Sequence, residues 1–249
     1  RWIKRMFDYG IKRHMLETNP ASAFDLSDAG GKEESRKRWL TRAELVKLFE
    51  AMRLAKGFSI QNDRTIRLLL VLCCRKMELC AARWAEFDLD GAVWHLPGER
   101  TKTGAPVDIP LPAVAVGWLR ELKTLAGYSD WVLPARKMQH NMVPYISEST
   151  LGVAIGKLKP HMADVPHFVV HDFRRTARTH LADLGIDPVV AERCLNHKIP
   201  GVEGVYNRHD YFNERTDALN RWAALLDALD RGEAYNVMPI SKARKKRAV

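Results

Sequence analysis

Cysteine is scarce in this chain, and the few there are suit neither a disulfide framework nor a zinc site. Cys73, Cys74, Cys80 and Cys194 stand among apolar neighbours and form no CxxC pair, so reduced thiols are expected. Long hydrophobic runs are missing as well: nothing approaches the roughly 18 to 20 apolar residues of a membrane span. The opening Arg1-Trp2-Ile3-Lys4-Arg5 leads into no secretory apolar core or small-residue cleavage site. The expectation is a cytoplasmic protein without membrane contact. A glycine-rich phosphate loop, a carboxylate cluster and an internal repeat are also absent. Neither ATP nor magnesium is called for, and no cofactor or metal is expected.

Acidic residues are in deficit. Thirty Asp and Glu face 40 Lys and Arg, which gives a net charge of +10 over 249 residues. Such a balance favours a polyanionic partner, with nucleic acid the commonest. Half of the excess lies in the final SKARKKRAV, whose five cations Lys242, Arg244, Lys245, Lys246 and Arg247 meet no acid. The tail alone accounts for that half.

A 46% hydrophobic content supports a substantial core. Trp2, Ile3, Met6, Phe7 and Ile11 recur at near-helical spacing until Thr18-Asn19-Pro20 stops the helix. With no bundle to join, that helix reads as the last element of a domain whose earlier part lies outside the sequence. Residues 25–38 are polar and charged and read as a linker. Thr41 and Glu44 then form a capping box ahead of Leu45, Leu48, Phe49 and Met52. Residues 62–85 are expected to be one central buried helix. Residues 93–97 and 107–111 read as two strands around the hairpin loop GERTKTGA, and further helices are expected at about 112–125, 148–158, 171–184, 188–196 and 212–229. The fold expected is mainly α with one small antiparallel sheet.

Taken singly, the polar residues of interest have ordinary explanations. Arg75, in LLLVLCCRKMELC, pairs with Glu78 one turn on, or else projects from a buried helix end as a bidentate phosphate clamp. His171 and Arg174, in HDFRR, share a helix face. Lys102 is a solvated turn lysine or a mobile proton donor. His197 caps a short helix. Tyr206 and Tyr211 are packing residues unless cations lower the cost of a phenolate.

As an ordered set they carry more. Arg75 in RKMEL, Lys102 in a hairpin, His171-x-x-Arg174 in HDFRRT, and Leu195-Asn196-His197 with a tyrosine nine residues later together resemble the tyrosine recombinases, in particular the prophage-type integrases. The likeness runs over about residues 36–226, and its closing spacing selects Tyr206 over Tyr211. It implies 1–24 as the last helix of a core-binding domain, 25–38 as linker, 39–232 as catalytic domain and 233–249 as basic tail. It departs from the family pattern at Leu72-Cys73, where Thr-Gly is common; glycine there permits a tight backbone.

The resemblance implies a site-specific recombinase that cuts DNA through a 3′-phosphotyrosyl bond. Arg75, Arg174 and His197 would hold the non-bridging oxygens, Tyr206 would attack, His171 would assist proton movement, and Lys102 would protonate the departing 5′-oxygen. It further implies a homotetramer on double-stranded DNA attachment sites, with the last helix docked on its own catalytic domain or, on DNA, on a neighbour's, and DNA-bending or directionality proteins as helpers. The fragment alone is expected to be monomeric. Two other readings start from the same residues: DNA relaxation by a type IB topoisomerase, and a DNA-binding regulator that kept the fold and lost the chemistry.

Overall fold

The computed structural model describes residues 2–25, 27–28, 30–31, 36–135, 143–197, 209–233 and 235. It divides into two compact units, Arg1–Lys37 and Arg38–Val249. The first is built on α1 (Trp2–Lys12). Its chain doubles back after His14, and Asn19 ties the return by donating to Lys4 O (3.0 Å) and Asp8 Oδ1 (2.6 Å). Gly10 admits that return, since a Cβ there would meet Leu16 Cδ1 at 2.9 Å. Trp2 and Met6 on α1 are exposed.

In the second unit α2 (Arg42–Leu54) starts as its capping box requires. Thr41 accepts from the Glu44 N–H, and Glu44 accepts the Thr41 N–H at 2.8 Å while also holding Arg38 at 2.8 Å. Arg38, at the end of the expected linker, is thereby held to the start of this unit. Leu45, Leu48, Phe49 and Met52 are buried.

The single helix expected over 62–85 is instead two. α3 (Ile60–Val71) ends, the chain turns through Leu72–Arg75 with Cys73 at φ 54°, and α4 (Lys76–Cys80) begins. A continuous helix would put the Arg75 cation in an apolar interior, at high desolvation cost. The break places Arg75 at the N-cap of α4, half-buried, where the Glu78 carboxylate accepts both its backbone N–H (2.7 Å) and its Nη1 (2.8 Å).

The sheet has one strand more than expected. β1 (Phe87–Asp88), β2 (Val93–Leu96) and β3 (Val107–Pro110) pair antiparallel in that order, with Trp94 opposite Ile109 and His95 opposite Asp108. β1 hides in the sequence because it is two residues long and runs into a turn that Asp88 caps by accepting the Gly91 N–H at 2.7 Å. Its Phe87 stacks on Trp94 with ring centroids 5.0 Å apart.

α5 (Ala113–Ala126), α6 (Thr150–Leu158), α7 (Asp172–Asp183), α8 (Pro188–Cys194) and α9 (Phe212–Arg231) complete the described unit. α3 lies at its centre, packed by α5, α7 and α9. α9 rests on α8, α2, α3, α7 and β3 of its own unit and buries Ala218, Leu219, Trp222 and Leu225, with Trp222 Nε1 donating to Leu70 O at 2.8 Å. Of the two dockings expected for the last helix, this single chain shows the one on its own unit, where the apolar stripe completes the core. Buried His180 stacks on Trp222 at 5.4 Å and reaches Leu40 O at 2.9 Å, joining α7 and α9 to the start of the unit.

Candidate active site

Three of the six residues singled out by sequence meet at one turn. After α8 the chain passes through Leu195 and Asn196 to His197, and Asn196 takes a left-handed φ of 49° that asparagine tolerates well. That conformation presents two successive carbonyls. Leu195 O accepts from Arg174 Nη2 at 2.6 Å, and Asn196 O accepts from Arg75 Nη2 at 3.2 Å.

The other left-handed turn does the same from the α3–α4 break. Cys73 O accepts from Arg174 Nη1, so the backbone conformation that ordinarily favours glycine is kept here by a cysteine. Arg174, 3% exposed, has three of its five N–H groups directed at Cys73 O, Leu195 O and His197. Its Nε has no hydrogen-bond partner among the described residues. Burial first, then the neighbouring Arg75, draws its pKa down, but a guanidinium stays charged.

His197 Nε2 lies 2.9 Å from Arg174 Nη2, and its Nδ1 lies 2.6 Å from Glu192 Oε2. Burial, opposed by the hydrogen bond to Glu192, lowers its pKa below the ordinary value, as do the two arginines. His171 stands at the N-cap of α7 and is exposed, so it shares less with Arg174 than helical spacing implied. Arg174 points into the body of the protein and His171 toward its surface. Both line a cleft of about 820 Å³ with Lys76, Lys159 and His167. Although His171 reaches the surface, the part of its ring turned into the cleft is desolvated, and this together with Arg175 and Arg174 lowers its pKa and favours the neutral ring near pH 7.

Lys102 is placed by its neighbours. It sits exposed in the β2–β3 loop. Two residues earlier, Arg100 donates to Glu78 O (3.0 Å) and Ala81 O and pairs with Glu86, while Thr101 Oγ1 donates across the loop to Ala105 O (2.9 Å). The loop base is therefore tied to α4, which also carries the Glu78 that holds Arg75. Tyr206 falls in 198–208, outside the described residues, as does most of the basic tail. Tyr211, the alternative, occupies the N-cap of α9 at φ 56°, packed partly on the core and edge-on to His209 at 4.6 Å.

Glu192, Arg178 and Arg100 were not singled out by sequence. Glu192 and His197 are five residues apart, off the three- or four-residue spacing of a helix face, and only the turn after α8 closes the gap. Arg100 reads as one more polar residue of a hairpin loop. Among the described residues, no group of three or more His, Cys, Asp or Glu comes together as a metal would require, and no helix is long and apolar enough to cross a membrane.

A model of the phage integrase family matches residues 38–212. The chain is 27% identical over 240 residues to prophage integrase IntZ of Escherichia coli K12, covering 96% of this chain and 57% of that protein. It is 25% identical over 259 residues to the integrase of enterobacteria phage P4, covering 98% and 57%. The chain thus spans little more than half the length of these relatives. Among solved structures, a lambda integrase dimer bound to a COC′ core site matches with a TM-score of 0.57 at 20% identity, covering 79% of this chain and 69% of that one. The Tn1549 transposon integrase in complex with circular intermediate DNA matches at 0.55 and 18%, covering 99% and 76%. At such identities these likenesses establish the mainly helical fold with its small antiparallel sheet.

Proposed function

The chain belongs to the phage integrase family, and from that premise we propose that it cuts and rejoins double-stranded DNA as a site-specific tyrosine recombinase, in integration or excision of a mobile element. One observation carries the reading: Arg75, Arg174 and His197 converge on the Leu195–Asn196 turn, where a phosphodiester would meet two guanidinium groups and an imidazole. The buried Nε of Arg174 is a further donor for that anion.

In this reading Tyr206 attacks phosphorus, the bond to the 5′-oxygen breaks, and a 3′-phosphotyrosyl bond conserves the energy for rejoining. The arginines stabilise charge that grows on the non-bridging oxygens. His171, neutral near pH 7, takes the tyrosine proton, and Lys102 gives one to the leaving 5′-oxygen. The cleft beside Arg174 and the net charge of +10 suit a DNA backbone.

Residues 1–24 are read as the end of a core-binding domain, 25–38 as linker, 39–232 as the catalytic domain and 233–249 as a basic tail. Lambda integrase has been solved as a dimer on a core site and as a tetramer on a Holliday junction. A homotetramer on two attachment sites, helped by accessory DNA-bending or directionality proteins in the bacterial cytoplasm, extends the proposal. The topoisomerase and silent-regulator readings gain nothing from relatives that are prophage and phage integrases.

The test is a nicked duplex carrying the attachment site, from which the cut end diffuses away. The chain should become covalently bound, with the phosphotyrosyl peptide mapping to Tyr206. Tyr206→Phe should form no adduct and Tyr211→Phe should form one. An adduct at Tyr211, or none with the intact chain, would remove the proposal.

A further inference from the structure

One charged group at the site has no part in the chemistry above. Glu192 on α8 accepts from His197 Nδ1 at 2.6 Å through Oε2 and from Arg178 Nε at 2.7 Å through Oε1. The His197 backbone N–H also bonds Glu192 O at 3.1 Å. A continuous chain of hydrogen bonds thus runs from Arg178 through Glu192 and His197 to buried Arg174.

The donors and acceptors in that chain admit one proton arrangement. A guanidinium only donates, so His197 Nε2 accepts from Arg174; a carboxylate only accepts, so the ring proton sits on Nδ1. His197 is therefore a neutral imidazole whose free lone pair is committed to Arg174. A phosphate oxygen is itself an acceptor and gains nothing from that lone pair. For His197 to bind the anion, Nε2 has to acquire a proton, and the imidazole has to give up its bond from Arg174, whose fork stays held by Cys73 O and Leu195 O.

We propose that Glu192 is a positioning residue that drives this conversion: it holds Nδ1–H and supplies the countercharge, so that His197 takes a proton onto Nε2 when phosphate enters. The inference rests on the recombinase reading for the identity of the anion. The balance is simple. One solvent proton bonds to Nε2, no other bond breaks, and the proton returns to solvent when the phosphate leaves. The charged groups facing His197 are Glu192 on α8, with Arg178 behind it, Arg174 on α7 and Arg75 at the start of α4. In the empty site, burial and the two arginines outweigh Glu192 and keep the ring neutral. An entering phosphodiester adds its negative charge to Glu192 and reverses that balance.

The experiment reads the protonation of the His197 ring nitrogens by NMR in the full chain, free and on a short duplex of mixed sequence, with adduct formation on the nicked attachment site scored in parallel. Free wild type should carry its proton on Nδ1 alone. On the duplex both nitrogens should be protonated, with the proton affinity of His197 raised at least about tenfold. Glu192→Gln keeps an acceptor for Nδ1 but removes the charge, and it should lose that gain. Glu192→Asp should recover part of it. Glu192 is about one-third exposed, so these variants should retain the wild-type circular dichroism. An equal gain in Glu192→Gln, or a proton on Nε2 in the free wild type, would overturn the inference. A wild type that gains the proton on the duplex but never forms an adduct would support Glu192 and remove the recombinase reading instead.

Discussion

The guanidinium pair and the hairpin lysine face the same phosphate in the proposed mechanism but are held in opposite ways. Arg174 is buried, with backbone carbonyls of Cys73 and Leu195 fixing its fork, and Arg75 is locked to Glu78 and Asn196 O. Lys102 is exposed, and only the base of its loop is anchored, through Arg100 and Thr101. In that mechanism the difference suits the tasks. Charge on non-bridging oxygens is stabilised by donors that do not reorganise, so rigidity serves the arginines. A proton donor has to reach a leaving atom that moves away from phosphorus, and a long mobile side chain serves that better.

The comparison breaks first at Arg174. Arg174→Lys keeps the charge but loses the planar fork, leaving Cys73 O and Leu195 O without their partner in the interior. It should destabilise the fold by about 2 to 4 kcal/mol and reduce adduct formation by a factor on the order of a thousand. Urea unfolding and the nicked-duplex assay check both. Arg75→Lys, at a half-exposed site, should match the loss of activity with a much smaller loss of stability. Equal destabilisation by the two would show that their burial does not separate them.

The left-handed turns come next. Asn196→Val places a β-branched residue at φ 49° and should cost about 1 to 2 kcal/mol, while Asn196→Gly stays near wild type in thermal unfolding. Cys73→Gly should likewise keep activity, since what Arg174 needs from that position is a carbonyl.

A smaller effect is expected from pH. Burial lowers the pKa of His180 and of His197, so the fold prefers both rings neutral. Their contribution to stability is whole above the unfolded value near 6.5 and is lost as pH falls below it, at a rate approaching roughly 1.4 kcal/mol per pH unit for buried His180 and less for the more exposed His197. The urea midpoint should drop between pH 7 and pH 5, and His180→Gln should flatten that drop. An unchanged slope would show that His180 is protonated without cost in its pocket against Trp222.

These expectations also mark what could be read from sequence. The capping box at Thr41, the helix stripes and the hairpin follow from local periodicity and local caps, and the structure repeats them. The break between α3 and α4 does not, because Cys73 carries no sign of a left-handed turn where glycine would have announced one. β1 was hidden by its two-residue length. In the site, the order of Arg75, His171, Arg174 and His197 pointed to a shared purpose, but the means of holding them did not. Cys73 O, Leu195 O and Asn196 O are backbone atoms, and no side-chain pattern names a carbonyl. Glu192 was missed for a related reason: its pairing with His197 exists only once the turn after α8 has closed.

The mildest expected effect on stability gives the sharpest test of Lys102. Lys102→Ala removes an exposed side chain from a loop whose anchors are other residues, so urea unfolding should be unchanged. Cleavage of an ordinary site should nonetheless slow by a factor on the order of a hundred to a thousand, the usual range for a lost proton donor. The cause of that slowing can be isolated by chemistry on the substrate. With a 5′-bridging sulfur at the scissile position the leaving group is far less basic and needs no proton, so Lys102→Ala should regain most of its rate. Arg174→Lys should regain little, because sulfur does nothing for charge on the non-bridging oxygens. If Lys102→Ala binds DNA normally but stays slow on the sulfur substrate, the donor is another group. Lys76, which lines the cleft beside Arg174 and bonds Glu148 at 3.1 Å, would be the first to examine.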